Sequence, residues 1–419
     1  MRSFFKQKII TLLFSFFCKV VCSQTIGTFS SINPTAQTQN LVLPATHAFQ
    51  RLIKTGDALS DGSTLGKNLD FAGYIPISGS STNGFLSISS EDYPAQCAIL
   101  GLSYSSSTKT WNVNSGNKVA FPVTDMGQVG AFCAGTITPK NTVMVCEEFN
   151  PALDDNADGY QDLGWIIEID PATIERNMRP NPRSGEDLAA TPQPAGEMHE
   201  DIVIKSDGTA AYWSADNSTT GFVYKFVPTV PGNFSSGNLY VLQTTTALGT
   251  GSWQLINNTT QNDRNTTPSL AMAAGAYHFN RVEGIEIGPD GKVYFAATTS
   301  GRIYRFTDAG NTVNNLEIFV ESTDYDVDGS GPIQPEPWGI GADNLAFDGE
   351  GNLWVLQDGG KNYIWVVGPQ HTAASPAVRL FATLPGGSEP TGITFSPDYH
   401  FLFLSVQHPN TTNTAAQTD

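Results

Sequence analysis

"GPDGKVYFAATTSGRIYRFTD", residues 288–308, reads as a polar turn, a strand of alternating apolar and aromatic residues, a short gap and a second strand. Asp290 and Gly291 suit a tight turn, and Val293, Tyr294 and Phe295 suit a pleated, half-buried surface. The unit returns as "SDGTAAYWSAD" with "GFVYKFVP" (206–228) and as "DGEGNLWVLQDG" with "NYIWVVGP" (348–369). Looser copies are "TPKNTVMVCEE" with "GWIIEID", "GFLSISSED" with "LSYSSSTKTW", and a closing "SPDYHFLFLSVQHP". A hairpin of this kind cannot bury both faces alone, so repeated copies stack around an axis. Six units, spaced by roughly 50 to 80 residues, predict an all-β chain folded as a six-bladed β-propeller with long loop insertions. Residues 245–278, rich in Thr, Asn, Ala and Gly, read as one such insertion between blades.

Residues 1–23 read as a secretory signal peptide. Arg2, Lys6 and Lys8 lead into an apolar stretch, and cleavage is expected before Gln24. That leaves 24–419 as a single propeller domain, secreted or periplasmic through a Sec-type route. No later stretch approaches the ~18 uninterrupted apolar residues of a membrane span. The formal charge of −18 disfavours nucleic acid and anionic lipid surfaces as partners. A monomer is expected. Three cysteines, Cys97, Cys133 and Cys146, survive cleavage, so at most one internal disulfide forms and one thiol is left over. Cys146, flanked by Glu147 and Glu148, is the one placed on a metal.

Aligning the units on their turns brings out a second regularity. Seven residues before the turn acid stand Glu200, Glu283 and Asp343, and the last unit carries Glu389 two residues further back. Such positions open the innermost strand of a blade, beside the central channel, so several blades aim acids at one point. Converging carboxylates repel, and a bound cation or a raised pKa relieves them. Oxygen ligands suit calcium, while a thiolate invites a transition metal. In a strand of period two, Cys146 and Glu148 share one side and Glu147 faces the other.

Two further stretches have the spacing of calcium loops. "DDNADG" offers Asp154, Asn156 and Asp158, continued by Asp162, and "DYDVDG" offers Asp324, Asp326 and Asp328. Neither has a glutamate at the twelfth loop position, so neither is a complete EF-hand. Both are equally readable as acidic, solvated turns.

The ordered set "CAGTITPKNTVMVCEE", "GWIIEIDP", "GEMHE", "RVEGIE", "DNLAFDGEGNLWV" and "EPTGITFSPDYHFLFLSVQHP" resembles the PhoX-type alkaline phosphatases, over residues 69 to 409. The resemblance implies a secreted propeller that hydrolyses phosphomonoesters with ferric ions, Fe(3+), and calcium ions, Ca(2+), acting on a small phosphate ester. It implies Cys146 as a thiolate ligand of iron, beside Glu147 and Glu148. It also implies Glu200 and Glu283 as metal carboxylates, Arg281 as a holder of phosphate oxygens, and Asp343, Asn344 and Glu389 as further motif positions, Asn344 with a catalytic part. The chain departs from the family in lacking a twin-arginine signal, and in reading Ser89, Ser90 and Glu91 where members read Asn-His-Glu.

Two other readings compete. "EGIEIGPDGKVYFA" also suits a calcium-dependent, gluconolactonase-like propeller hydrolase, which needs no thiolate. A non-catalytic binding propeller stabilised by calcium would hold calcium and no iron.

Overall fold

A computed structural model of the chain describes residues 24–148, 153–172, 198–328 and 335–414; the expected signal peptide lies outside them. The described residues form antiparallel sheets. The first sheet is β1 (Leu69–Pro76), β2 (Asn83–Ser90), β3 (Gln96–Ser105) and β4 (Thr110–Lys118). The second is β5 (Phe132–Ile137), β6 (Val143–Glu147) and β7 (Ile166–Ile169). The third unit holds β8 (His199–Ile204), β9 (Ala211–Ala215), β10 (Val223–Val230), β11 (Asn233–Gln243) and β12 (Gly249–Ile256). The fourth holds β13 (Val282–Ile287), β14 (Val293–Ala297), β15 (Arg302–Asp308) and β16 (Thr312–Val320). A two-residue pair, β17 (Asp324–Tyr325) and β18 (Glu336–Pro337), precedes the fifth sheet. That sheet is β19 (Ala342–Phe347), β20 (Leu353–Gln357), β21 (Tyr363–Val367) and β22 (Val378–Thr383). The last has only β23 (Glu389–Phe395) and β24 (Leu402–Gln407).

The first strand of each unit touches the first strand of the next, and β23 touches β1, so these inner strands close a ring. This is a β-propeller, built as the repeated turn-and-strand units predict. The third and fourth units join edge to edge through β12 and β16 into one nine-stranded sheet. The stretch read as an insertion supplies that joint: it forms β12 and two short helices, Gln261–Asn265 and Thr267–Ala273.

Apolar side chains meet in the junctions between neighbouring units. Phe71 and Ile99 pack with Phe132 and Val145, Met144 with Trp213, Tyr212 with Phe295, and Ile303 with Trp365. Trp354 and Phe381 pack with Ile393, and Phe403 with Tyr74 and Trp111, which brings the last unit against the first. Burying one such large side chain stabilises the fold by about 3 kcal/mol. Lys225 and Asp308 tie the third and fourth units by a 2.6 Å ion pair, and Trp253 Nε1 donates to the same carboxylate.

Among the described residues the last unit has no outer strands. A cavity of about 510 Å³ runs beside β24, walled by Trp111 on one side and Phe381 on the other and lined by Leu43 and Ile53 of the N-terminal segment. That segment holds to the fifth sheet, where Ile32 N donates to Leu380 O and Val42 pairs with Thr383. No helix among the described residues is long and apolar enough to cross a membrane.

Every inner strand carries a bulge near its start. The register shifts between Leu69 and Ala72, Phe132 and Gly135, and His199 and Ile202. It shifts again between Val282 and Ile285, Ala342 and Leu345, and Thr391 and Ile393. A bulge adds one residue to a strand and re-aims a side chain out of the regular alternation. Here it turns the same position of each unit toward the channel.

Candidate functional site

The residues at these bulges are Asp70, Cys133, Glu200, Glu283 and Asp343, with Gly392 in the last strand. A second set follows directly after the strand that pairs with each inner strand: Glu91, Glu148, Asp216, Thr298, Asp358 and His408. The two sets make a deep inner ring and a ring above it at one end of the channel.

Ligand atoms converge twice. Glu91, Cys133 and Glu148 offer atoms all within 4.8 Å of one another, and so do Glu200, Glu283 and Asp343. The Cys133 Sγ lies 3.1 Å from Glu148 Oε2. Asp70 is buried beside both groups, and its Oδ1 has no hydrogen-bond partner. An ionised carboxylate so placed is costly unless a cation or a proton compensates it.

The electrostatics follow from that crowding. Burial first, then the charges of Glu91, Glu148 and Glu389, push the Asp70 carboxyl well above the usual range. Burial and Glu91 push Glu148 up to about 8, and its carboxyl also bonds to Asp216. Glu200, Glu283 and Asp343 are all raised, by burial first and then by neighbouring carboxylates. Glu389 rises to about 9 through burial and its hydrogen bond to Asp358. Burial and Glu148 hold the Cys133 thiol well above its ordinary value.

Among the described residues, Arg281 is the cation that faces these acids. Arg281 donates from Nε to Asp216 Oδ1 at 2.7 Å and from Nη2 to Asp216 Oδ2 at 2.6 Å. Nη2 also donates to Glu283 Oε1 at 2.8 Å. The Asp216 carboxylate is buried, while the Arg281 side chain remains 47% exposed. Arg281 Nη1 donates to none of the described residues, which leaves its two hydrogens for a ligand. Asn344 donates from Nδ2 to Asp343 Oδ1 at 2.9 Å, and its Oδ1 accepts from Gly392 N at 2.5 Å.

The sequence-predicted residues fall into place unevenly. Glu148, Glu200, Glu283 and Asp343 lie in the two ligand groups, and Arg281 stands over them. Glu389 lies at the upper ring, 3.4 Å from His408 Nε2. Cys146 is elsewhere: its side chain is buried with Met144, Ile202 and Trp213 in the junction between the second and third units. The thiol beside the acids is Cys133, which the sequence reading passed over. Glu147 is buried on the other face, where its carboxylate accepts from Gly130 N and Trp165 N at 3.0 Å each. Asp70 and Asp216 are likewise absent from the sequence-predicted set, and Glu91 enters it only as the acid where family members read Asn-His-Glu. His199 is buried edge-on against Trp213.

In the expected calcium loops, Asp154 accepts from the amides of Asp158 and Gly159, and Asp162 accepts from Asp155 N. Those bonds fold the turn. Asp324 lies in β17, and Asp326 and Asp328 follow it, while Gly329 falls outside the described residues. Cys97, Cys133 and Cys146, the cysteines among the described residues, are free thiols and form no disulfide with one another.

Comparison with known proteins adds three findings. The family model "Alkaline phosphatase PhoX" matches residues 126–410. Among solved structures, PhoX of Pseudomonas fluorescens in complex with vanadate, a transition state analogue, is similar at a TM-score of 0.70 and 20% identity, over 92% of this chain and 94% of that one. The periplasmic gluconolactonase of Pseudomonas aeruginosa is similar at a TM-score of 0.40 and 12% identity, over 85% of this chain and 88% of its own. No curated protein matches by sequence. The family match takes in Cys133, every acid of the site from Glu148 onward, and Arg281. The chain belongs to the alkaline phosphatase PhoX family and is a phosphoric monoester hydrolase.

Proposed function

We propose that this chain is an exported phosphatase that hydrolyses small phosphomonoesters in the mouth of the channel, with Fe(3+) and Ca(2+) as its ions. What carries the reading is the convergence of two ligand groups beneath Arg281. The donor sets fit such ions. Glu91, Cys133 and Glu148 combine a thiol with oxygens, the mixture suited to iron, whereas Glu200, Glu283 and Asp343 offer oxygen alone, the set suited to calcium as much as to iron. The unpartnered Asp70 Oδ1 fits a further bond to a cation. When bound, the ions supply Lewis-acid charge and make water a nucleophile at moderate pH.

The chain's own residues do the rest. Phosphoryl transfer calls for fixed positive charge where the equatorial oxygens become more negative. Asp216 holds the Arg281 guanidinium by two parallel bonds, so its orientation is set before substrate arrives. The free Nη1 edge then donates to two phosphate oxygens without losing the Asp216 pair. Asn344 acts one step back: by bonding Asp343 and Gly392 N it fixes the carboxylate against the inner strand of the last unit. Glu389, Asp358 and His408 form a second polar group on the upper ring, and they face the leaving oxygen of an ester bound at the mouth. At the DDNADG turn, where Asp154 and Asp162 already accept backbone amides, a bound Ca(2+) stiffens the loop and takes no part in catalysis.

The direct test is hydrolysis of p-nitrophenyl phosphate and of D-glucono-lactone by purified protein, before and after chelation. Phosphate release that chelation abolishes, with no lactone opening, supports the reading. Lactone opening without phosphate release refutes it.

A further inference from the structure

Ile340 is 61% exposed at the mouth of the channel, the most exposed of the large apolar residues among those described. Its backbone is nonetheless fixed on both sides. Ile340 O accepts from Gln357 Nε2 at 2.9 Å, and the same amide nitrogen donates to Trp338 O at 2.7 Å. Gly341 N donates to Thr298 O at 3.3 Å, and Asp358 N donates to Gly341 O at 2.8 Å. Gly341 has a φ of +85°, and a Cβ there would stand 1.7 Å from Asp358 O, so only glycine allows this approach. An isolated exposed apolar residue on a loose loop would call for no explanation. A rigidly held one, placed between two residues of the upper ring, is different.

The hydrogen bonds also say what lies beside it. Thr298 N donates to Arg281 O at 3.1 Å, so one short path of backbone bonds runs from Ile340 through Gly341 and Thr298 to Arg281. On its other side the path continues through Asp358 to Glu389. Ile340 therefore stands over the gap between the arginine and the Asp358 and Glu389 pair. On the phosphatase reading, an ester whose phosphate is held by Arg281 carries its organic group outward past this gap.

We propose that Ile340 is a specificity-determining residue that packs against the organic group of the ester and favours apolar groups, such as aryl rings, over polar ones. This rests on the phosphatase reading of the site. The upper-ring residues among those described, Glu91, Glu148, Asp216, Thr298, Asp358 and His408, are polar and offer an apolar group little, so Ile340 sets the preference on its side of the mouth. Tyr93 provides the comparison. It is 46% exposed at the same end but sits beside Gly130 at the junction of the first and second units, across the ring from the junction of the fourth and fifth where Ile340 stands.

The experiment compares phenyl phosphate with glycerol phosphate in the metal-loaded protein and in its Ile340→Ala and Tyr93→Ala variants, with inhibition by inorganic phosphate measured alongside. Removing part of an apolar contact of this size lowers kcat/KM for phenyl phosphate about fivefold, chiefly through KM. Glycerol phosphate and the phosphate inhibition constant stay within about twofold of the parent, and Ile340→Leu restores the phenyl ester. Tyr93→Ala leaves the ratio of the two esters unchanged. Equal losses on both esters in Ile340→Ala, or no loss on either, overturn the assignment. A parent protein that hydrolyses neither ester overturns the phosphatase reading itself, and this inference with it.

Discussion

Substituting Gly392 tests whether the ring of inner strands is held at the distance the site needs. Gly392 has a φ of +47°, and a Cβ built on it would lie 2.4 Å from Asp70 O, 2.4 Å from Ala72 N and 2.6 Å from Phe71 Cα. All three are backbone atoms of β1, so no rotamer change relieves the overlap. The left-handed backbone alone costs a non-glycine residue about 1 to 2 kcal/mol. Overpacking against a neighbouring strand adds about 1 to 3 kcal/mol. Displacing Gly392 N from Asn344 Oδ1 removes a bond worth about 1 kcal/mol. Gly392→Ala is therefore expected to lose roughly 3 to 6 kcal/mol. Gly291, at φ +75° with nothing within 4 Å of its Cβ, isolates the backbone contribution. Gly291→Ala is expected to lose only about 1 to 2 kcal/mol. Urea unfolding of the two variants measures both. Equal destabilisation would refute the claim that β23 and β1 approach closely enough to set the position of Asp70.

Arg281→Lys keeps the charge but not the fork, so the inhibition constant for inorganic phosphate is expected to rise about 10- to 100-fold, with a smaller change in melting temperature. For protein stripped of metal, native carboxyls with raised pKa bind more protons than the unfolded chain does, so stability is highest at low pH. It falls as pH rises through about 8 for Glu148 and about 9 for Glu389. Melting curves of chelated protein from pH 5 to 9 should show this decline, and a rise with pH would contradict it. Asp308→Ala strands Lys225, whose side chain is buried, and should cost about 3 kcal/mol in urea unfolding without altering metal content.

Much of the fold was legible because the turn and the strand after it recur with their residue types intact. "GPDGKVYF" and "GEGNLWV" became β13 to β14 and β19 to β20 turns in the same register. The acids were legible for the same reason: seven residues before the turn lies the bulge, and Glu200, Glu283 and Asp343 all sit there. The same offset applied to "TPKN", whose turn carries Lys140 in place of an acid, lands on Cys133. Applied to the first unit, it runs from Ile77 in a turn without any acid back to Asp70.

Cys146 stands out in the sequence because Glu147 and Glu148 flank it, and period-two alternation groups it with Glu148, but β6 ends at Glu147 and the chain turns there. Glu148 thus swings to the upper ring while Cys146 stays in an apolar junction. The upper ring was the harder part to read. Glu91, Asp216, Asp358 and His408 share only their place after a strand, and strand ends are set by pairing partners that sequence pattern locates to within a few residues. Gln407 Nε2, which donates to Glu91 Oε2 at 3.0 Å, joins residues more than 300 positions apart.

The account turns on which thiol belongs to the metal centre. Elemental analysis of purified parent, Cys133→Ala and Cys146→Ala proteins decides it. The proposed function predicts iron and calcium in the parent, and the place of the two thiols then predicts loss of iron in Cys133→Ala and iron retained in Cys146→Ala, with some loss of thermal stability from the vacated apolar junction. Iron lost from Cys146→Ala and kept in Cys133→Ala, or a parent protein that carries no iron after reconstitution, would contradict it.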